Sequence, residues 1–76
     1  MKENTMNQYE DVVKFLTEYR KHNNILQSDL AKRANITQAQ ISKYENFKQT
    51  ASPEVMFAWI NALDLELHIL NKNKGR

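Results

Sequence analysis

Residues 27–46, QSDLAKRANITQAQISKYEN, constrain the fold more than any other stretch of this chain. Ala31 is small enough for two helices to cross closely over it. Asn35 is a residue type that tolerates the left-handed backbone of a tight turn. Leu30, Ile36, Ile41 and Tyr44 fall where they would pin a second helix onto a first. Between those anchors the second helix carries Gln38, Gln40, Ser42 and Lys43. The pattern predicts two short helices, the second held from behind with a polar face outward.

A rigid helix presenting amides and a cation suits the edges of base pairs in a DNA major groove. The charge distribution bears on this more than the net charge of +2. Residues 1–18 hold Lys2 and Lys14 against four acids, a balance of −2. Residues 19–48 hold Arg20, Lys21, Lys32, Arg33, Lys43 and Lys48 against Asp29 and Glu45, a balance of +4. Residues 49–70 return to −3 through Glu54, Asp64 and Glu66, and Lys72, Lys74 and Arg76 add +3. The positive excess lies on and just before the paired helices, where phosphates would be met. Scattered lysines on soluble helices would look similar, so charge alone does not decide.

Seventy-six residues form one small domain, near the size where a single core is marginal and a second copy helps. With no cysteine, neither disulfides nor thiolate metal sites can brace it. No apolar run spans a bilayer and the first residues lack the apolar stretch of a secretory signal, so a cytoplasmic protein is expected.

Residues 1–8 are polar and are expected to be a flexible N-terminus. Over residues 9–22, Tyr9, Val12, Val13, Leu16 and Tyr19 recur at helical spacing. His22-Asn23-Asn24 ends that helix, with Asn24 the left-handed residue. A second helix runs over residues 27–34. A third follows Thr37, where Gln40 completes a T-x-x-Q capping box. Ser52-Pro53-Glu54 starts a fourth, which buries Met56, Trp59, Ile60 and Leu63. From Leu65 the period changes: Leu65, Leu67 and Ile69 alternate with Glu66, His68 and Leu70, as in a strand. This stretch, residues 65–70, either lies along the core as an extended tail or pairs with its copy in a homodimer; pairing is favoured. Residues 71–76 read as a flexible basic tail.

Read from Arg20 to Glu45, R-x6-Q-x2-LA-x4-I-x4-I-x3-E resembles the Xre/Cro family of helix-turn-helix repressors. Residues 27–70 are most similar to HipB-type antitoxins, through Q-S-x-LAK, the I-S-x-aromatic-E-N close and the leucine-rich element at residues 62–65. The resemblance implies a mostly α, four-helix, lambda-repressor-like helix-turn-helix domain over residues 9–70. Its short C-terminal β-strand would be paired across a homodimer through Leu65, Leu67 and Ile69. It implies base contacts from Gln38, Ala39, Gln40 and Lys43, and phosphate contacts from Gln27, Ser28, Asn46 and Lys48. It makes Arg20 and Glu45 a buried ion pair. The implied partners are double-stranded operator DNA, a second copy and a HipA-type kinase toxin, with no cofactor.

Two positions depart from the family pattern. Leu26 stands where helix 2 would have a polar cap, and Phe47 where a glycine is usual. A phenyl ring is awkward in a left-handed turn, so Phe47 either folds onto the core or serves as a surface anchor. The other candidates read as structure. His22 and His68 lack metal-site spacing, Asp64 and Glu66 face solvent beside the strand, and Trp59 lies on an apolar stripe. Phe57 sits off that stripe, at the core edge or facing a second copy. Nothing points to catalysis. A stand-alone or phage-type repressor, or an interaction module that does not read DNA, remains as the alternative.

Overall fold

The computed structural model describes residues 5–66, which form four helices: α1 (Thr5–His22), α2 (Gln27–Ala34), α3 (Gln38–Glu45) and α4 (Pro53–Ala62). Helix α2 packs on both α3 and α4, and α1 closes over α3. The core is one apolar cluster in which Val13, Leu16, Leu30, Ile41 and Trp59 are fully buried, with Tyr44 tilted against Trp59. Ala31 and Ala34 lie at the crossing of the short helices, where small side chains permit close approach.

The starts of α3 and α4 follow from their capping chemistry. Thr37 accepts from the backbone N–H of Gln40, and the Gln40 side chain accepts in return from the Thr37 N–H, a reciprocal pair that satisfies orphan donors. Ser52 accepts from the Val55 N–H, with Pro53 at the first helical position. Leu26 supplies α2 with no side-chain cap. Helix α1 begins at Thr5, so residues 5–8, expected to be flexible, belong to it. Extending an existing helix costs little once its nucleus is packed, and no Gly or Pro interrupts this turn.

All four helices end in the same way. Asn24, Asn35, Phe47 and Asp64 have φ of 57°, 62°, 60° and 61°. In each case the next residue donates its N–H to the carbonyl five positions back: Ile25 to Arg20, Ile36 to Ala31, Lys48 to Lys43 and Leu65 to Ile60. The left-handed residue itself donates to the carbonyl three back. This is the Schellman closure. Glycine normally supplies the left-handed residue, yet the sequence holds a single glycine, Gly75. Ile25, Ile36 and Leu65 then fold onto the core and hold their turns.

Two expectations change here. Phe47 adopts the left-handed turn despite its ring, and that ring is 43% exposed rather than folded into the core. Leu65 is not in a strand; no strand occurs among the described residues, and its N–H is taken by the closure of α4. The rest of the expected dimer strand, with Leu67 and Ile69, lies outside the described residues, as do residues 1–4 and the basic tail. Phe57 is exposed on α4, and Val12 is 37% exposed at the flank of the α1 stripe.

Asn35 is exposed, so its substitution tests the turn alone. Asn35→Ala should destabilise the fold by ~1–2 kcal/mol, the cost of a Cβ in a left-handed turn. Asn35→Gly should be near neutral, because glycine takes that conformation freely. Chemical denaturation of both variants checks this.

Candidate nucleic-acid interface

The outward face of α3 is fixed by what holds its inner face. Ile41 and Tyr44 are buried, so the positions on the opposite side turn to solvent. Residues 38, 39, 42 and 43 share that outer side at helical spacing. Gln38, Ala39 and Lys43 are exposed, and Ser42 is half-buried. Among the described residues no hydrogen bond or ion pair engages the side chains of Gln38 and Lys43. They present an amide with donor and acceptor, a methyl group and a cation along one ridge.

Gln40 lies differently. It is half-buried, and its Oε1 accepts from the Thr37 N–H at 2.9 Å and from the Thr37 hydroxyl at 3.2 Å. A carbonyl oxygen has two lone pairs, and the cap engages both. Bidentate pairing with adenine needs that oxygen as acceptor, so Gln40 would have to give up its cap to make it. The expected base contact is thereby reduced to whatever its amide N–H2 can donate.

Behind the ridge, Arg20 fastens α3 to the rest of the domain. Its Nε donates to Glu45 Oε2 at 2.7 Å, one terminal nitrogen donates to Glu45 Oε1 at 3.0 Å, and the other to the Ile25 carbonyl at 2.8 Å. Arg20 is 8% exposed. Gln27 Nε2 donates to the same Glu45 Oε1 at 2.9 Å. One carboxylate thus joins the end of α1, the start of α2 and the end of α3. The planar fork of arginine and a bidentate carboxylate fix orientation as well as distance.

The expected phosphate contacts divide between exposed and engaged groups. Ser28 and Lys48 are exposed. The Gln27 amide is turned onto Glu45, and Asn46 Nδ2 donates to the Ser42 carbonyl at 2.8 Å, closing the end of α3. The start of α2 still has its first backbone N–H groups without a side-chain cap. Exposed Lys21, Lys32 and Arg33 add positive charge on α1 and α2. Arg33 also donates to the Ala62 carbonyl at 3.2 Å, capping α4. His22 is exposed, and no cluster able to hold a metal ion occurs among the described residues.

A family model described as Helix-turn-helix matches residues 16–70. The chain belongs to the Xre-type helix-turn-helix family. In this helix-turn-helix domain α2, the Asn35 turn and α3 form the motif, and α3 is the recognition helix. It is a DNA-binding domain of the kind that regulates transcription. No curated protein and no solved structure matches the chain. No helix among the described residues is long and apolar enough to cross a membrane.

Arg20→Ala should cost ~3–5 kcal/mol of stability, because it leaves the Glu45 carboxylate buried without its counter-charge. Arg20→Met with Glu45→Leu should recover much of that loss while impairing DNA binding, because an apolar pair fills the space but loses the fork that orients α3. Denaturation and gel-shift titration of both variants test this; full DNA affinity in the double variant would show that the pair does not position the recognition helix.

Proposed function

We propose that the protein is a sequence-specific transcriptional repressor that binds an inverted-repeat operator as a homodimer. Half-sites would lie about one helical turn, ~34 Å, apart. One observation carries this reading: a polar ridge, Gln38-Ala39-Lys43, stands exposed on a helix braced from behind by a buried, bidentate ion pair. Gln38 would pair with adenine, the Ala39 methyl would touch a thymine methyl, and Lys43 would donate to guanine acceptors. The uncapped N-terminus of α2 would take a backbone phosphate. Ser28, Asn46 and Lys48 would hold the backbone around the groove, with the Gln27 amide leaving Glu45 to join them.

Within this reading the protein is an antitoxin that represses its own operon and holds a HipA-type kinase toxin. What supports it is the resemblance of residues 27–70 to HipB-type antitoxins, through Q-S-x-LAK and I-S-x-aromatic-E-N. A kinase-like neighbouring reading frame whose product co-purifies with this chain would be the expected outcome. Phage structural genes beside it, and no such complex, would leave a stand-alone repressor.

The base-reading face is tested on a duplex selected from a random pool. Gln38→Ala should lower preference for the selected site over a scrambled duplex by ~1–3 kcal/mol. Gln40→Ala should instead cost about 0.5–2 kcal/mol of folding stability through the lost cap, with preference little changed. Binding should weaken steeply as salt rises, and Lys48→Ala should reduce the salt slope by about one. A flat salt response, with Gln38→Ala keeping the parent's preference, would overturn the DNA-reading assignment.

A further inference from the structure

We propose that the Phe47 ring packs on a deoxyribose of the DNA backbone, at the edge of the groove that α3 enters. The domain then grips the duplex through an apolar contact as well as through charge. This contact presupposes the DNA-reading role given to α3 and adds a residue to it.

The recognition helix delivers the ring to that place. Positions 39, 43 and 47 are four apart, so Phe47 follows Ala39 and Lys43 about one turn further along, just past the end of α3. The Phe47 N–H donates to the Tyr44 carbonyl at 3.1 Å, and the Lys48 N–H to the Lys43 carbonyl at 2.8 Å. The turn is therefore bonded to the last turn of the recognition helix and moves with it. Asn46, Phe47, Lys48, Gln49 and Thr50 are all exposed. A helix seated in the major groove meets a sugar–phosphate strand where its end leaves the groove. Along that strand charged phosphates alternate with deoxyribose, whose surface is mostly C–H. Lys48 brings a cation for a phosphate, and Phe47 brings apolar surface for the sugar beside it.

Folding alone does not account for a phenyl ring at this position. Phe47 has a φ of 60°, a conformation that disfavours a bulky side chain. Asn24, Asn35 and Asp64 have short polar side chains in the same conformation, and each is followed by an apolar residue that packs on the core. Phe47 has neither advantage: Lys48 follows it, and the ring is 43% exposed. It lines, with Tyr9, Glu10, Gln49 and Thr50, a recess of about 70 Å³, so it is not packed tight against α1. Glycine would close this turn at lower cost. A ring that strains its own turn and stands largely in water contributes little to the fold, whereas covering it on DNA is favourable.

The surrounding charges select the sugar. Lys43 and Lys48 are exposed, and the carboxylate of Glu45 is already held by Arg20, so the end of α3 attracts a polyanion. Glu10 lines the recess from the α1 side and repels a phosphate that would sit over the ring itself. The uncharged sugar between two phosphates is the group that fits.

Three variants test the contact. Phe47→Gly and Phe47→Asn remove the ring and accept the left-handed turn, asparagine without the added flexibility of glycine. Phe47→Tyr keeps the ring. Each is titrated by gel shift against the selected and the scrambled duplex at several salt concentrations, and unfolded with denaturant. Phe47→Gly and Phe47→Asn should bind both duplexes about tenfold more weakly, the loss expected for part of a buried phenyl ring. Site preference and salt slope should stay those of the parent, because a sugar carries neither base identity nor charge. Their unfolding midpoints should hold or rise, and Phe47→Tyr should bind as the parent does. Parent-like affinity in both ring-less variants would overturn the contact. So would a lowered unfolding midpoint, which would make the ring a packing residue. A loss confined to the selected duplex, or a reduced salt slope, would assign the ring to a base or to the placement of Lys48 and overturn it equally. If the parent itself bound neither duplex, the DNA-reading role of α3 would fall first, and this contact with it.

Discussion

The orientation of the recognition helix depends on one carboxylate. Glu45 accepts twice from Arg20 and once from Gln27, and Arg20 spends its remaining terminal nitrogen on the Ile25 carbonyl. Removing two charges from water costs several kcal/mol each, a penalty that only a complete set of partners offsets. The cluster is complete in that sense, and it draws its partners from α1, the α1–α2 turn, α2 and α3. An apolar core can tolerate small slips of one helix over another; a bidentate fork cannot. The ridge of Gln38, Ala39 and Lys43 therefore stands at a defined angle to the rest of the domain.

The helix ends show how the same closure is reached with unequal residues. Asn24 and Asn35 are legible as left-handed residues, because a short amide side chain lowers the cost of that conformation. Phe47 and Asp64 are not. Asp64 reads as a charge beside a strand until the next residue is considered: Leu65, like Ile25 and Ile36, is apolar and packs on the core. The signal is thus a pair, a left-handed residue followed by an apolar one, rather than any single residue. The end of α3 has Phe47 followed by Lys48 and lacks both halves of that signal; its closure stands on the hydrogen bond from Lys48 to the Lys43 carbonyl, 2.8 Å.

Much of the fold was legible for a plain reason: buried positions at helical spacing and capping boxes are local patterns. Leu30, Ile41, Tyr44 and Trp59 lie where their spacing places them. The start of α1 was misplaced because polar residues without a breaker look alike whether helical or loose. The site was legible as a list of polar side chains and not as a division of labour. Gln27, Gln40 and Asn46 have the chemistry of DNA contacts, but each also finds a partner inside the domain. Sequence spacing announces the partner of Gln40, because Thr37 is three residues away. It is silent about Gln27 and Glu45, which lie on different helices.

The capping role of Gln40 limits how such a protein can acquire a new target. A residue that reads bases and nothing else can be exchanged freely, since the scaffold is indifferent to it. Gln40 is not of that kind, because its side chain nucleates the helix that would carry the altered specificity. Divergence among paralogues of this domain would therefore concentrate at positions 38, 39 and 43. Any lineage that recruits position 40 would need a substitute helix-starting residue first.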